Sequence, residues 1–199
     1  SSYAALAAVH GLQLDAAAID AVFPKIYRAA PPLAFPGLGG EELEQAERNW
    51  WSERIRTCLE ACGVSTPMPA ALGSELFDHF ASADPWQVYA DVEDHLRLWR
   101  QRGCRLVVVS NFDQRLGPLL ASLGLADLLD GVVVSSVVGA AKPDPRPFER
   151  ALELLQLPAP EVWHIGDSPE DEAGAQKPQV STCSACSGWR RNPRNSSCP

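Results

Sequence analysis

Gly103-Cys104-Arg105-Leu106-Val107-Val108-Val109-Ser110-Asn111 is the stretch whose reading decides the fold. The segment from Arg105 to Val109, apolar from Leu106 on, is rich in β-branched side chains, which predicts a strand buried in a parallel sheet. Gly103 stops the helical pattern from Asp91 to Arg102 before it, and a hydroxyl and an amide emerge where the strand ends. Onward from this point the pattern predicts a helix from Gln114 to Leu123, a strand from Gly131 to Ser135, a helix from Arg146 to Leu155 and a strand from Glu161 to Ile165. Strands that alternate with helices imply right-handed crossovers and a parallel sheet. Ligands collect at the carboxyl ends of the strands in such sheets.

Before Asp91 the texture is helical. Tyr3 to Val9 is Ala-rich, Ala16 to Ala29 is amphipathic, and Glu41 to Ala61 carries Trp51, Ile55 and Leu59 on one face. A linker, Pro31-Pro32-Leu33-Ala34-Phe35-Pro36-Gly37, separates the second and third segments, Leu72 to Phe80 adds a short helix, and Asp84-Pro85 breaks the pattern. The expected domains are a helical bundle over residues 1–83, an α/β core over 84–176, and a tail over 177–199. The tail holds four basic residues and no acidic one, so it reads as disordered, or as the product of a shifted frame or an alternative exon. No strand is expected in it.

At 199 residues, 46% hydrophobic and 21% charged, the chain has the composition of a globular protein. A net charge of −8 argues against duplex nucleic acid as a partner, and the longest apolar runs are far too short to span a membrane. No secretory signal is visible and the one methionine is Met68, so the sequence is expected to be a fragment or a trimmed chain. Six cysteines without a regular framework favour a reducing, intracellular and so cytoplasmic setting.

Three polar clusters sit where strands end. Ser110-Asn111 can donate to a phosphate oxygen, or merely turn the chain. Lys142-Pro143-Asp144-Pro145 presents an ammonium on a stiffened loop, or is a solvated lysine ahead of a helix with Asp144 as N-cap and Pro145 at its first position. Ile165-Gly166-Asp167-Ser168-Pro169-Glu170-Asp171 brings Asp167 and Asp171 together as a hard oxygen site suited to Mg²⁺, with Gly166 allowing a sharp turn. Ser168 to Asp171 is also a capping pattern, which explains Asp171 but not Asp167.

The order of the three clusters resembles the second, third and fourth motifs of the haloacid dehalogenase-like (HAD) hydrolase superfamily. Ser110-Asn111-Phe112-Asp113 with Arg115-Leu116, and Lys142-Pro143-Asp144-Pro145 followed by Phe148, are particularly similar to one subgroup. The resemblance implies an α/β fold, a Rossmannoid parallel sheet with an inserted helical-bundle cap of the C1 type. It implies that Ser110 and Asn111 bind the phosphoryl group, that Lys142 neutralises charge on phosphate and nucleophile, and that Asp167 and Asp171 hold Mg²⁺. Catalytic roles would fall to Lys142 and Ser110, beside an aspartate nucleophile that forms a phospho-aspartyl intermediate. The implied partner is a small phosphate ester, with neither nucleic acid nor membrane. Two acids in the last motif favour phosphate esters over metal-free dehalogenation.

The superfamily's first motif, an apolar strand ending in Asp-x-Asp, has no counterpart in this sequence, and Asp15 and Asp20 lie in helical segments. The 199 residues alone are therefore expected to lack the first core strand, to be poorly stable and to be inactive. A non-catalytic binding module on the same scaffold and a metal-free haloacid dehalogenase are the alternatives. Cys183, Cys186 and Cys198 could offer three zinc ligands, with no fourth in view. His10, His79, His95 and His164 are expected to be structural, as are Trp50 and Trp51, although a tryptophan facing the site could select the leaving group.

Overall fold

The computed structural model describes residues 2–184. The first half is four helices: α1 (Ser2–Val9), α2 (Ala16–Ala29), α3 (Gly40–Ala61) and α4 (Ala70–His79). Asp15 caps α2 by accepting from the Ala17 amide at 3.0 Å, and Glu41 and Glu42 favour the positive end of α3. Ala7, Leu12, Ile55, Leu59, Leu72 and Leu76 close a core between α1, α3 and α4. No helix among the described residues is long and apolar enough to cross a membrane.

The second half alternates as the sequence predicts. It runs α5 (Val92–Gln101), β1 (Val107–Ser110), α6 (Leu116–Ser122), β2 (Gly131–Val134), α7 (Ser135–Val138), α8 (Arg146–Leu155), β3 (Trp163–Gly166), α9 (Pro169–Glu172) and β4 (Ser181–Ser184). β1 pairs in parallel with β2, Val107 opposite Gly131, and β3 pairs in parallel with β4, Trp163 opposite Ser181. The pairs share no hydrogen bond: the described strands form two sheets of two strands each.

Two expectations about these elements need correction, the burial of β1 and the position of Pro145. The strand expected to be buried at Arg105 to Val109 forms at Val107–Ser110 and is only half-buried, because a two-strand ribbon leaves one edge of every strand open. On β3, His164 and Gly166 face inward while Ile165 is 61% exposed, the period-two alternation of a strand covered on one face. Pro145 stands at the N-cap of α8 rather than inside it, and Asp144 still accepts from the Arg146 amide at 2.9 Å.

The start of the tail is a further correction, while residues 185–199, also expected to be disordered, lie outside the described residues. A strand forms at Ser181–Ser184, and Val180, 7% exposed, packs with Phe148 and Ala175. The unpaired hydrogen-bonding edge of β3 and the apolar cluster beneath it outweigh the polar composition of the segment. Cys186 and Cys198, two of the three suggested zinc ligands, lie outside the described residues.

Leu72 is wholly buried, so Leu72→Ala is expected to lower unfolding free energy by about 2–5 kcal/mol. Val180→Ala should cost about 1–2 kcal/mol, where a disordered tail would give no change; urea denaturation followed by circular dichroism measures both.

Candidate active site

β1 carries Ser110 to the carboxyl end of its sheet, half-buried, and its hydroxyl has no hydrogen-bond partner among the described residues. Asn111 follows. Its amide oxygen accepts from the Lys142 amide at 2.7 Å and its Nδ2 donates to the Lys142 carbonyl at 3.0 Å. The side chain expected to touch phosphate thus clamps the backbone of the lysine loop from both sides. Two loops 31 residues apart in sequence are locked in register by one amide.

The ammonium of Lys142 is held 3.0 Å from Glu172 Oε1, and both side chains are almost wholly buried. Glu172 also pairs with His164 Nε2 through its second oxygen. Burial pushes the His164 imidazole below its ordinary value and Lys142 adds to this, with Glu172 opposing. His164 further meets Phe148 edge to face at 5.0 Å, in line with the structural role expected of it. Glu172 is the residue that sequence reasoning passed over in favour of Asp171. Adjacent positions of a helix point about 100° apart, so α9 directs only one of the two acids inward.

Gly166 is required for a different reason from the sharp turn that was expected, since its φ lies outside the left-handed region. A Cβ there would sit 2.2 Å from Glu172 Oε1. At Gly174 a Cβ would sit 2.2 Å from the Pro143 carbonyl oxygen, so the chain after α9 lies directly against the lysine loop.

Asp167 is exposed and Asp171 half-buried, and neither carboxylate has an ion-pair partner among the described residues. The Ser168 hydroxyl caps α9 by accepting from the Asp171 amide at 3.4 Å, so the capping reading describes the backbone at this point and leaves both carboxylates unengaged. No group of three or more His, Cys, Asp or Glu ligands gathers among the described residues. The donor set still fits Mg²⁺, which uses one or two carboxylates and fills its remaining positions with water and phosphate oxygens.

Behind these loops lies a layer that sequence reasoning did not assign. Asp113 is 0% exposed and receives two nitrogens of Arg115, at 2.8 and 2.6 Å, and the indole N–H of Trp51, at 2.6 Å. Arg115 also donates to the Phe77 carbonyl at 2.6 Å and lies 3.6 Å over the Phe77 ring. Glu47 is buried on α3 and accepts from the backbone and side chain of Gln114; burial pushes its carboxyl above the ordinary range, with these bonds opposing. The Tyr27 hydroxyl donates to the Asn111 carbonyl at 3.2 Å, and its pKa is raised by burial first and by the charges of Asp171 and Asp113 next. Only the adjacency of Asp113 and Arg115 was a visible signal. The two tryptophans divide: Trp50 is core and donates to the Pro31 carbonyl, while Trp51 reaches the loop after β1. Of the remaining histidines, His10 meets Glu75 at 2.7 Å and His95 meets the Asp91 carbonyl at 2.6 Å, both away from these loops.

A strand-end hydroxyl, a clamped lysine and a pair of unpaired carboxylates thus stand on consecutive β-loop-α units at the carboxyl ends of strands, where open α/β folds bind their ligands. The family model for haloacid dehalogenase-like hydrolases matches residues 4–177, and the chain belongs to that family. It is 38% identical over 168 residues to the haloacid dehalogenase-like hydrolase domain-containing protein 3 of Bos taurus, covering 83% of this chain and 66% of that protein. It is 32% identical over 133 residues to a phosphoglycolate phosphatase of Cupriavidus necator, covering 65% of this chain and 58% of that protein. Among solved structures, the putative HAD-hydrolase YfnB of Bacillus subtilis, bound to magnesium, superposes with a TM-score of 0.64 at 19% identity, covering 89% of this chain and 76% of that one. The chain thus spans about two thirds of the length of the Bos taurus relative.

Gly166→Ala must displace the Glu172 carboxylate from Lys142. The expected cost is about 1–3 kcal/mol of unfolding free energy, measured by chemical denaturation; an unchanged midpoint would show that Glu172 does not occupy this space.

Proposed function

We propose that the chain is the phosphate-handling part of a Mg²⁺-dependent phosphatase that hydrolyses a small phosphate monoester to an alcohol and inorganic phosphate. The observation that carries this reading is the Asn111–Lys142 clamp, which sets a cationic loop beside the free hydroxyl of Ser110 while Asp167 and Asp171 stay unpaired. Ser110 would donate to a phosphoryl oxygen. Lys142, tethered to Glu172, would offset phosphate charge without folding back onto Asp167. Asp167 and Asp171 would hold Mg²⁺, whose charge screens the repulsion between a carboxylate nucleophile and an anionic ester when it is bound.

The attacking carboxylate belongs to an Asp-x-Asp element that does not occur among these 199 residues. It would displace the alcohol at phosphorus; the alkoxide takes a proton from the second aspartate, and water then hydrolyses the acyl phosphate. Residues 1–83 would act as the cap over this site, and the thiols of Cys58, Cys62 and Cys104, all free, support a reducing cytoplasmic setting.

The protein made from its own full transcript is expected to hydrolyse p-nitrophenyl phosphate with Mg²⁺ and to lose turnover on chelation. Lys142→Ala should lower kcat/KM by about 10²–10³-fold. The 199 residues expressed alone are expected to show no turnover. Activity on 2-haloacids that survives chelation would overturn the phosphatase reading, and phosphate-ester binding by the full protein without turnover would leave the binding module.

A further inference from the structure

A cavity of about 170 Å³ lies between the helical half and the loop after β1. Trp51, Phe77, Phe80, Trp86, Phe112 and Arg115 form much of its wall. Phe80 and Trp86 meet at 73°, and Trp86 and Phe112 at 68°, so the rings frame the space edge to face. An engineered apolar cavity of about 150 Å³ in another protein takes up benzene, so this volume suits one six-membered ring.

Its chemistry argues against a carboxylate as occupant. The one charged group in the wall is Arg115, and its guanidinium is matched by two bonds to Asp113, with another nitrogen on the Phe77 carbonyl. No unmatched cation is left there for a carboxylate, and burying an unpaired carboxylate among aromatic rings is costly. A flat, uncharged ring meets none of these objections and gains the apolar burial.

Its position ties it to the phosphate site. Phe112, in the wall, is the residue after Asn111, and consecutive Cα atoms lie about 3.8 Å apart, so the Cα of Phe112 lies within about 8 Å of that of Ser110. Tyr27 bridges the two, its ring 6.1 Å from that of Trp51 and its hydroxyl on the Asn111 carbonyl.

We propose that the cavity is the leaving-group subsite of the same active site and takes an uncharged aromatic alcohol, so that the substrates are aryl-type phosphate monoesters rather than carboxylate-bearing ones. The assignment of a leaving group rests on the phosphatase reading; the binding of a ring does not.

Trp51 and Trp86 make the test direct. In the full protein, phenol should change tryptophan emission saturably, with a Kd on the order of 1 mM as suits so small a ligand, and glycolate should not. Trp86 is 40% exposed, so Trp86→Ala should leave folding intact by circular dichroism and weaken phenol at least about 10-fold. Ile55→Phe, which fills the space from another wall, should abolish the response while melting cooperatively. In turnover, kcat/KM for phenyl phosphate should exceed that for phosphoglycolate by at least about 10-fold. A linear, non-saturating phenol response, or a preference for phosphoglycolate, overturns the subsite while leaving the phosphatase reading intact. Saturable phenol binding without turnover of any phosphate ester instead overturns the leaving-group assignment together with that reading.

Discussion

The carboxylate of Asp113 is the point on which the two halves of the molecule meet. It is wholly buried, and it is tolerable there because four donors surround it: the backbone amide and two guanidinium nitrogens of Arg115, and the indole of Trp51 on α3. A buried ion pair adds little net stability against an apolar alternative, yet losing one partner typically costs about 3–5 kcal/mol, because the survivor stays buried and unpaired. Such an arrangement makes geometry strict. Arg115 in turn reaches the Phe77 carbonyl at the end of α4, so α3, α4 and the loop after β1 are drawn to one place.

The active-site loops are organised by the same principle on a smaller scale. Asn111 satisfies the backbone of Lys142, Glu172 satisfies its ammonium, and Gly166 and Gly174 are bare because Glu172 and Pro143 fill the space a side chain would need. Ser110, Asp167 and Asp171 remain without side-chain partners among the described residues. Asn111, Lys142 and Glu172 are thus consumed in positioning, and Ser110, Asp167 and Asp171 are left as the groups suited to a ligand. Linker and sheet are joined in the same way, by the Ser135 hydroxyl donating to the Leu33 carbonyl at 2.6 Å.

Much of the fold was legible because hydrophobic period is a local property. α2 and α8 have the bounds their patterns predict, and β1, β2 and β3 each fall within two residues of expectation. The strand at Ser181–Ser184 was not legible, since nothing in Ser-Thr-Cys-Ser announces it; its formation depends on the free edge of β3. The short α7 went unread for a like reason, being one turn whose Ser135 and Ser136 are buried by contacts with distant loops.

The sequence by itself determined the alternation of strand and helix, the order of Ser110, Lys142 and Asp167 at successive strand ends, and hence the family. Those are statements about residues near one another along the chain, where spacing and chemistry suffice. Only the tertiary structure decided that Asn111 serves Lys142, that Glu172 rather than Asp171 turns inward, that Trp51 leaves the core its neighbour Trp50 joins, and that a ring-sized apolar space adjoins the phosphate loop. Each of these depends on which way a side chain faces and on what a distant segment brings against it, and one-dimensional order does not encode either until the chain closes on itself.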